Sequence, residues 1–137
     1  MDKISKELTV DANLEKLDNV MQFVEDALED AECPMKTIMQ IAVCVEEVFV
    51  NVASYAYGEE QGYCTLELDV GNNNIKIKIA DKGIKFNPLE KADPDITLSA
   101  DERQIGGLGI FMVKKTMDKV SYYNEAGENI LIMEKSW

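Results

Sequence analysis

Two runs of strictly alternating apolar and polar residues, joined by a turn, constrain the fold of this chain more than any other feature. In "YCTLELDV" the residues Cys64, Leu66, Leu68 and Val70 alternate with polar ones, and "NIKIKIAD" repeats the pattern through its isoleucines. The intervening "GNNN" is typical of a tight turn. Because successive side chains point to opposite faces of a strand, the pair is predicted to form a hairpin with one apolar face. That face needs a second layer to cover it.

Helical patterns upstream of the hairpin supply this layer. Apolar residues recur at helical spacing over residues 14–28 and again over residues 35–56. Pro34 stands where a first helical residue is expected, and Gly58 suits a cap after the second helix. We therefore expect two successive helices between the first strand and the hairpin.

The remaining segments complete the predicted element order. Residues 3–10 have the pattern of a strand, "IFMVKKTMDKV" has helical spacing, and "VSYYN" and "NILIMEKSW" flank the turn "EAGE" of a second hairpin. Residues 82–105 have no sustained period, which is typical of a lid or a disordered segment. The order β-α-α-β-β-lid-α-β-β predicts an α+β sandwich of one sheet and one helical layer, and the length predicts a single domain over residues 1–137.

Charge and composition exclude several classes of protein. The net charge is −12, and residues 1–60 alone carry 4 basic and 14 acidic residues. This excess of negative charge disfavours nucleic-acid binding. The acidic surface could either bind a basic protein partner or be a solvated face. The 3 cysteines and the absence of histidine disfavour zinc sites, disulfide frameworks and histidine-dependent catalysis. No signal-peptide core and no apolar run of membrane-span length are apparent. We expect reduced thiols in a cytoplasmic protein.

An acid and an amide lie one turn apart in the second helical pattern, "EEVFVNVASYAYG". Glu47 and Asn51 are four residues apart and therefore share one face of the helix. The amide oxygen of Asn51 is a suitable Mg²⁺ ligand, and Glu47 could accept a proton from an attacking hydroxyl. The pair alone is equally compatible with a hydrogen-bonded surface contact.

Two glycine-containing segments carry the remaining candidate sites. In "IADKGIKFNP", Asp81 stands where the strand pattern stops. Its carboxylate could accept a hydrogen bond from an exocyclic amine, and Gly83 could let a flat ring approach the backbone. In "QIGGLGIF", glycines precede a helical pattern, and a helix N-terminus with free N–H groups is a phosphate site. Taken singly, the first segment could be an ordinary turn and the second a tight loop.

The conjunction of these segments, in this order, resembles the GHKL ATP-binding superfamily with its N, G1 and G2 boxes. The resemblance covers residues 14–135, and the wording "D-x-G-x-x-F-N-P" and "G-G-L-G-I-F-M-V" is similar to that of anti-sigma-factor serine/threonine kinases. It implies the Bergerat fold, a two-layer sandwich with a mixed sheet of about five strands, three helices on one face and an ATP lid.

The resemblance also implies roles for individual residues. Glu47 resembles the catalytic base of the N box, Asn51 its Mg²⁺ ligand, and Asp81 the aspartate that reads adenine. The other nucleotide-binding positions that it implies are Gly83, Gly106, Gly107, Leu108 and Gly109. Two positions depart from the pattern: Tyr55 stands where relatives often have histidine, and Ile105 where some kinases have arginine, with Arg103 two residues earlier.

The resemblance implies an ATP- and Mg²⁺-binding regulatory kinase that phosphorylates a serine or threonine on a small antagonist protein. A sigma factor is a further implied partner. Direct binding to nucleic acid or to a membrane is not expected. A homodimer is possible, and the oligomeric state stays open. The alternative is a nucleotide-gated module that sequesters a partner without kinase activity. A metabolic or DNA-linked ATPase is disfavoured by the short length.

Overall fold

The elements of the chain follow the predicted order. The computed structural model describes residues 3–90 and 107–137, except the side chains of residues 90, 107 and 108. In chain order the elements are strand β1 (Ile4–Asp11), helices α1 (Leu17–Asp30) and α2 (Met35–Asn51), strands β2 (Tyr63–Gly71) and β3 (Asn74–Asp81), helix α3 (Gly107–Thr116), and strands β4 (Lys119–Glu125) and β5 (Glu128–Ser136). Short helical turns lie at Leu14–Lys16, Val52–Ala56 and Pro88–Glu90.

The five strands form one sheet in the order β1-β2-β3-β5-β4. Every pair of neighbouring strands in it is antiparallel. The predicted five-stranded α+β sandwich is confirmed, but the expectation of a mixed sheet is wrong. Two helices separate β1 from β2, so the chain reverses an odd number of times and returns antiparallel. Helix α3 returns the chain so that β4 runs parallel to β3, but β5 lies between these two strands and pairs with both, so they do not form a parallel pair.

Both predicted hairpins form, each around a two-residue turn. Gly71 pairs with Asn74, and Asn73 has φ +60°, a left-handed conformation that asparagine tolerates. In the second hairpin Ala126 and Gly127 have φ of +53° and +79°. Positive φ at both central residues is the geometry that matches the right-handed twist of paired strands. These turns fix the register of the two hairpins.

The core lies between the sheet and the three helices. Side chains on the inner face of the sheet align in rows across the strands, and one such row is Leu8, Leu66, Ile79, Leu131 and Tyr122. Helix α2 is central, because it contacts both α1 and α3. Its Ile41, Val45 and Phe49 are completely buried. Full burial of an aliphatic or aromatic side chain contributes about 1.5–3 kcal/mol, so each of these residues contributes substantially to stability.

The three cysteines lie in this core as free thiols. Burial raises the pKa of Cys33 and of Cys44, and a side-chain hydrogen bond from Thr116 opposes the shift at Cys44. Burial and the neighbouring charge of Asp81 raise the pKa of Cys64 to about 12. The prediction that Cys44 and Cys64 face the core is confirmed.

Helix α2 begins at Met35, as predicted, but differs from its predicted form in two details. Pro34 has an extended ψ of 142° and occupies the N-cap position, so it is not the first helical residue. The α-helix ends at Asn51 and continues as a π-helical turn over Val52–Ala56, after which Gly58 adopts φ +59° as expected. π-turns widen a helix locally and are frequent at functional sites.

The continuous helix Met35–Ala56 is the segment that bears on the expectation of no membrane span. By length and composition alone it could cross a membrane, and 44% of its most apolar window is buried in the fold. Its buried residues form the core described above. A central core helix meets the same criteria, so the finding is weak support for a membrane span.

Candidate functional site

A cavity of about 560 Å³ lies where the end of α2 meets the ends of the central strands. Helix α2 and its π-turn form one wall, β3 and β5 the floor, and residues 84–88 part of the rim. Its polar and aromatic lining residues are Asn51, Tyr55, Asp81, Lys85, Phe86, Tyr122 and Asn129. Cavities of this size, mostly apolar with a few placed polar groups, are typical of small-molecule sites.

Asp81 provides a buried hydrogen-bond acceptor in this cavity. It is the last residue of β3, as predicted, and is only 6% exposed. Its Oδ1 accepts from the backbone N–H of Gly83 at 2.9 Å and from Nδ2 of Asn129 at 3.0 Å. Within the described residues, Oδ2 has no hydrogen-bond partner. A buried polar atom without a partner is costly, so this carboxylate is suited to a ligand that donates a hydrogen bond, such as an exocyclic amine.

Asn129 orients Asp81, and the sequence did not identify it. It pairs with Asp81 across β3 and β5 and is 6% exposed. Its side chain makes five hydrogen bonds, to Asp81 Oδ1 (3.0 Å), the carbonyl oxygen of Ile84 (2.9 Å), the hydroxyl of Tyr122 (2.5 Å), Nδ2 of Asn124 (3.2 Å) and the N–H of Phe86 (3.3 Å). The only sequence signal was an asparagine opening an apolar strand. In "NILIM" both faces are apolar, so the pattern could not assign its direction.

The π-turn brings helix α2 against the segment that follows Asp81. The N–H of Ile84 donates to the carbonyl oxygen of Ala56 at 2.7 Å. A Cβ at position 83 would overlap that same carbonyl group, so only glycine allows this approach. The hydroxyl of Tyr57 donates to the carbonyl oxygen of Tyr63 at 2.5 Å and accepts from the N–H of Lys82 at 2.8 Å. Gly83 is therefore required by a close approach of two backbones beside the cavity.

Asn51 and Glu47 lie on one face of α2, but they line different cavities. Asn51 lines the large cavity, and its side chain has no hydrogen-bond partner within the part of the chain that the structure describes. Glu47 is half-buried one turn earlier and lines a smaller groove between α2 and α3 instead. The sequence predicted that the two side chains share one face of the helix, but not that one lines the groove and the other the cavity.

The glycine-rich segment begins helix α3. Gly107 is the first residue of the helix and Leu108 the second, whereas Gly106, Arg103 and Ile105 lie outside the described residues, as does the predicted lid beyond residue 90. A Cβ at Gly109 would overlap the carboxylate of Glu47. Glycine at this position therefore lets α3 approach Glu47 closely. The first N–H groups of an α-helix have no intrahelical partner, so this end of α3 can donate to an anion.

The described residues contain no group of three or more His, Cys, Asp or Glu side chains arranged to hold a metal ion. Mg²⁺ usually keeps several waters and takes one or two protein oxygens together with substrate phosphates. The single amide of Asn51 is compatible with such a site. Tyr55, which is 63% exposed, lines the same cavity.

Comparison with known proteins agrees with this geometry. Residues 10–135 match the histidine kinase-like ATPase domain. The chain is 28% identical over 102 residues to the serine-protein kinase RsbW of Listeria monocytogenes, and the match covers 71% of this chain and 65% of that protein. It is 28% identical over 130 residues to RsbW of Staphylococcus aureus, covering 90% and 82% of the two chains. The match thus spans slightly less than two thirds of the Listeria relative.

A solved structure of RsbU and RsbW domains from Mycobacterium tuberculosis has the same fold. It superposes with a TM-score of 0.66 at 14% identity, and the match covers 97% of this chain and 32% of that one. The resemblance drawn from the sequence motifs is therefore confirmed at the level of the family. With its residues 10–135 matched and its fold shared, the chain belongs to the histidine kinase-like ATPase domain family.

Proposed function

We propose that this chain is an ATP- and Mg²⁺-binding serine/threonine protein kinase of the anti-sigma type, which phosphorylates a small antagonist protein in the cytoplasm. The observation that carries the proposal is the Oδ2 of buried Asp81, in a cavity that also contains the amide of Asn51; neither group has a hydrogen-bond partner among the described residues. The similarity to serine-protein kinases RsbW supports the reaction type. A sigma factor is a second proposed protein partner.

The proposed nucleotide lies with its adenine against Asp81. Oδ2 accepts from the exocyclic amine, while Gly83 and the apolar walls leave room for a flat ring. The triphosphate extends toward Asn51 and the first turn of α3, where Gly107, Leu108 and Gly109, preceded by Gly106, offer backbone N–H groups. Bound Mg²⁺ would neutralise charge on the phosphates, with the amide oxygen of Asn51 as its protein ligand.

Glu47 is the proposed general base for the transfer. The acceptor hydroxyl oxygen forms a bond to the γ-phosphorus, and its proton passes to the Glu47 carboxylate. The bond from the γ-phosphorus to the bridging oxygen breaks, and ADP leaves with that electron pair. A positioned base contributes roughly 10²–10⁴-fold to such a step.

Nucleotide binding can be tested by thermal unfolding with ATP and Mg²⁺. A ligand at a hundredfold excess over its Kd stabilises the native state by about 2.7 kcal/mol. We expect a corresponding rise in the melting temperature, and we expect Asp81→Asn to remove most of it, because an amide at that position presents a donor to the exocyclic amine. An unchanged melting curve at millimolar ATP would exclude the proposed function.

Phosphotransfer can be tested with labelled ATP and the small proteins encoded by genes adjacent to its own. Glu47→Gln should leave ATP-induced stabilisation intact and reduce transfer by about 10²–10⁴-fold. Asn51→Ala should weaken Mg²⁺-dependent binding as well. Glu46→Gln is the matched control, since Glu46 is the exposed neighbour of Glu47 on the same helix.

The alternative function is a nucleotide-gated module that sequesters a partner without useful kinase activity. It is favoured by the position of Glu47, which lines the small groove and not the large cavity. The departure at Ile105 from the arginine of some kinases points the same way. ATP binding by the wild type, with transfer and hydrolysis unaffected by Glu47→Gln, would establish this alternative.

A further inference from the structure

A groove of about 250 Å³ lies between the outer sides of α2 and α3, separate from the nucleotide cavity. Its side chains are mostly apolar, and several are well exposed: Met39 by 62%, Val43 by 43% and Met112 by 44%. Helix α2 already buries its core stripe on the other side, so these residues make it apolar on a second face. Exposed apolar side chains that cluster on one surface are typical of an interaction site.

The exposed residues on α2 form a line that ends at Glu47. Met35, Met39, Val43 and Glu47 follow one another at intervals of four residues and therefore lie along one side of the helix. Met35 is 62% exposed, like Met39. Methionine side chains are flexible and adapt to different apolar partners. The surface thus provides an adaptable apolar track with a carboxylate at one end.

The groove and the nucleotide cavity adjoin each other at the contact between α2 and α3. On α2, Glu47 lines the groove, whereas Asn51, about 6 Å further along the helix, lines the cavity. On α3, Gly109 lines the groove and the next residue, Ile110, lines the cavity. A chain bound in the groove would therefore reach Glu47 without entering the nucleotide cavity.

We propose that this groove binds the phosphoacceptor segment of the protein substrate. The segment carries a serine or threonine with apolar side chains beside it. Those side chains pack against Met39, Val43 and Met112, which places the hydroxyl at Glu47. The inference rests on the proposed function: the hydroxyl oxygen bonds to the γ-phosphorus of ATP, its proton passes to Glu47, and ADP leaves with the electrons of the broken bond. The continuity of the groove with Glu47 selects this occupant.

The test measures acceptor and ATP kinetics separately, with the adjacent-gene proteins that the wild type phosphorylates. Met39→Gln and Val43→Gln should each raise the KM for the acceptor by about tenfold, the usual effect of removing a central apolar contact. The KM for ATP and the thermal stabilisation by ATP should not change, since neither residue lines the nucleotide cavity. Leu14→Gln is the matched control, because Leu14 is an apolar residue that is 55% exposed and lies outside the groove.

Met112→Gln tests the groove from α3 and gives an answer even if a substitution on α2 prevents folding. An unchanged acceptor KM in folded groove variants would overturn the inference while leaving the proposed kinase function intact. A variant that dissociates a dimer in sedimentation without affecting acceptor KM would also overturn it, because the groove would then be an interface between two copies. If the wild type phosphorylates no acceptor, the proposed function and the inference both fail.

Discussion

The substitution Asn129→Ala should destabilise the protein by about 2–4 kcal/mol, far more than most single asparagine substitutions. Asn129 is nearly buried and its amide joins β3, β5 and the segment after Asp81 through five hydrogen bonds. Alanine removes every one of them. The partners differ in how well water can replace the lost amide, and that difference sets the magnitude.

The two bonds donated by Nδ2 account for most of the expected loss. Asp81 is 6% exposed, and a hydrogen bond to a charged group contributes about 1.5–3 kcal/mol. The bond to the carbonyl oxygen of Ile84 adds about 0.5–1.5 kcal/mol. The three donors to Oδ1 belong to exposed or half-buried residues, where water can replace the lost acceptor, so they add little.

The assay is urea unfolding of the wild type, Asn129→Ala, Asp81→Ala and the double variant. Because the two side chains are bonded at 3.0 Å, we expect a coupling energy of about 1.5–3 kcal/mol. Asn124→Ala is the matched control. Asn124 pairs with Asn129 across β4 and β5, but among the described residues its side chain donates a single bond, at 3.2 Å, and its loss should cost less than about 1 kcal/mol.

Two results would refute the reasoning. One is a loss of stability for Asn129→Ala that is no larger than that for Asn124→Ala. The other is a coupling energy within about 0.5 kcal/mol of zero, the usual error of additivity for independent sites. Either result would mean that Asn129 does not hold Asp81, and that another interaction orients the carboxylate.

Four further predictions concern other parts of the structure. Cys64 is completely buried, and burial raises its pKa to about 12 from an ordinary 9.0, so its alkylation at pH 8 should be at least roughly a thousandfold slower in the native than in the unfolded protein. Mass spectrometry of the labelled site checks this, and rapid native labelling would contradict it. The raised value also means that the protonated thiol favours the native state, so stability should fall as pH rises from about 9 toward 12. Gly109→Ala should change the free energy of unfolding by less than about 1 kcal/mol, because alanine has the higher helix propensity and the flexible side chain of Glu47 can move away from the added methyl group. Phosphotransfer should nevertheless fall at least about tenfold, because Glu47 is displaced. Unimpaired transfer would show that the position of Glu47 is unimportant. Tyr57→Phe removes two hydrogen bonds and should cost about 1–2 kcal/mol in urea unfolding, and a neutral result would show that water replaces both.

Local sequence patterns were sufficient to predict the elements and much of the site. Alternation and helical spacing are local patterns, and they correctly predicted both hairpins, the three helices and the two-layer α+β fold. They also placed Asp81 at the end of a strand, because the alternation stops there. The motif order then identified the family, since glycines and polar residues stand out against apolar periodicity.

Other features of the site depended on contacts between distant segments. The insertion of β5 between β3 and β4, and hence the wholly antiparallel sheet, follows from long-range strand pairing that no local pattern encodes. That pairing turned Asn129 inward to face Asp81, although "NILIM" is apolar on both faces.

Tertiary packing also decided what Glu47 faces. Helical spacing places Glu47 and Asn51 on one side of α2, but only the approach of α3 at Gly109 separates a groove beside Glu47 from the cavity beside Asn51. The physical reason is that a sequence period fixes the direction of a side chain within its own element, whereas the neighbour that it meets depends on how the elements pack.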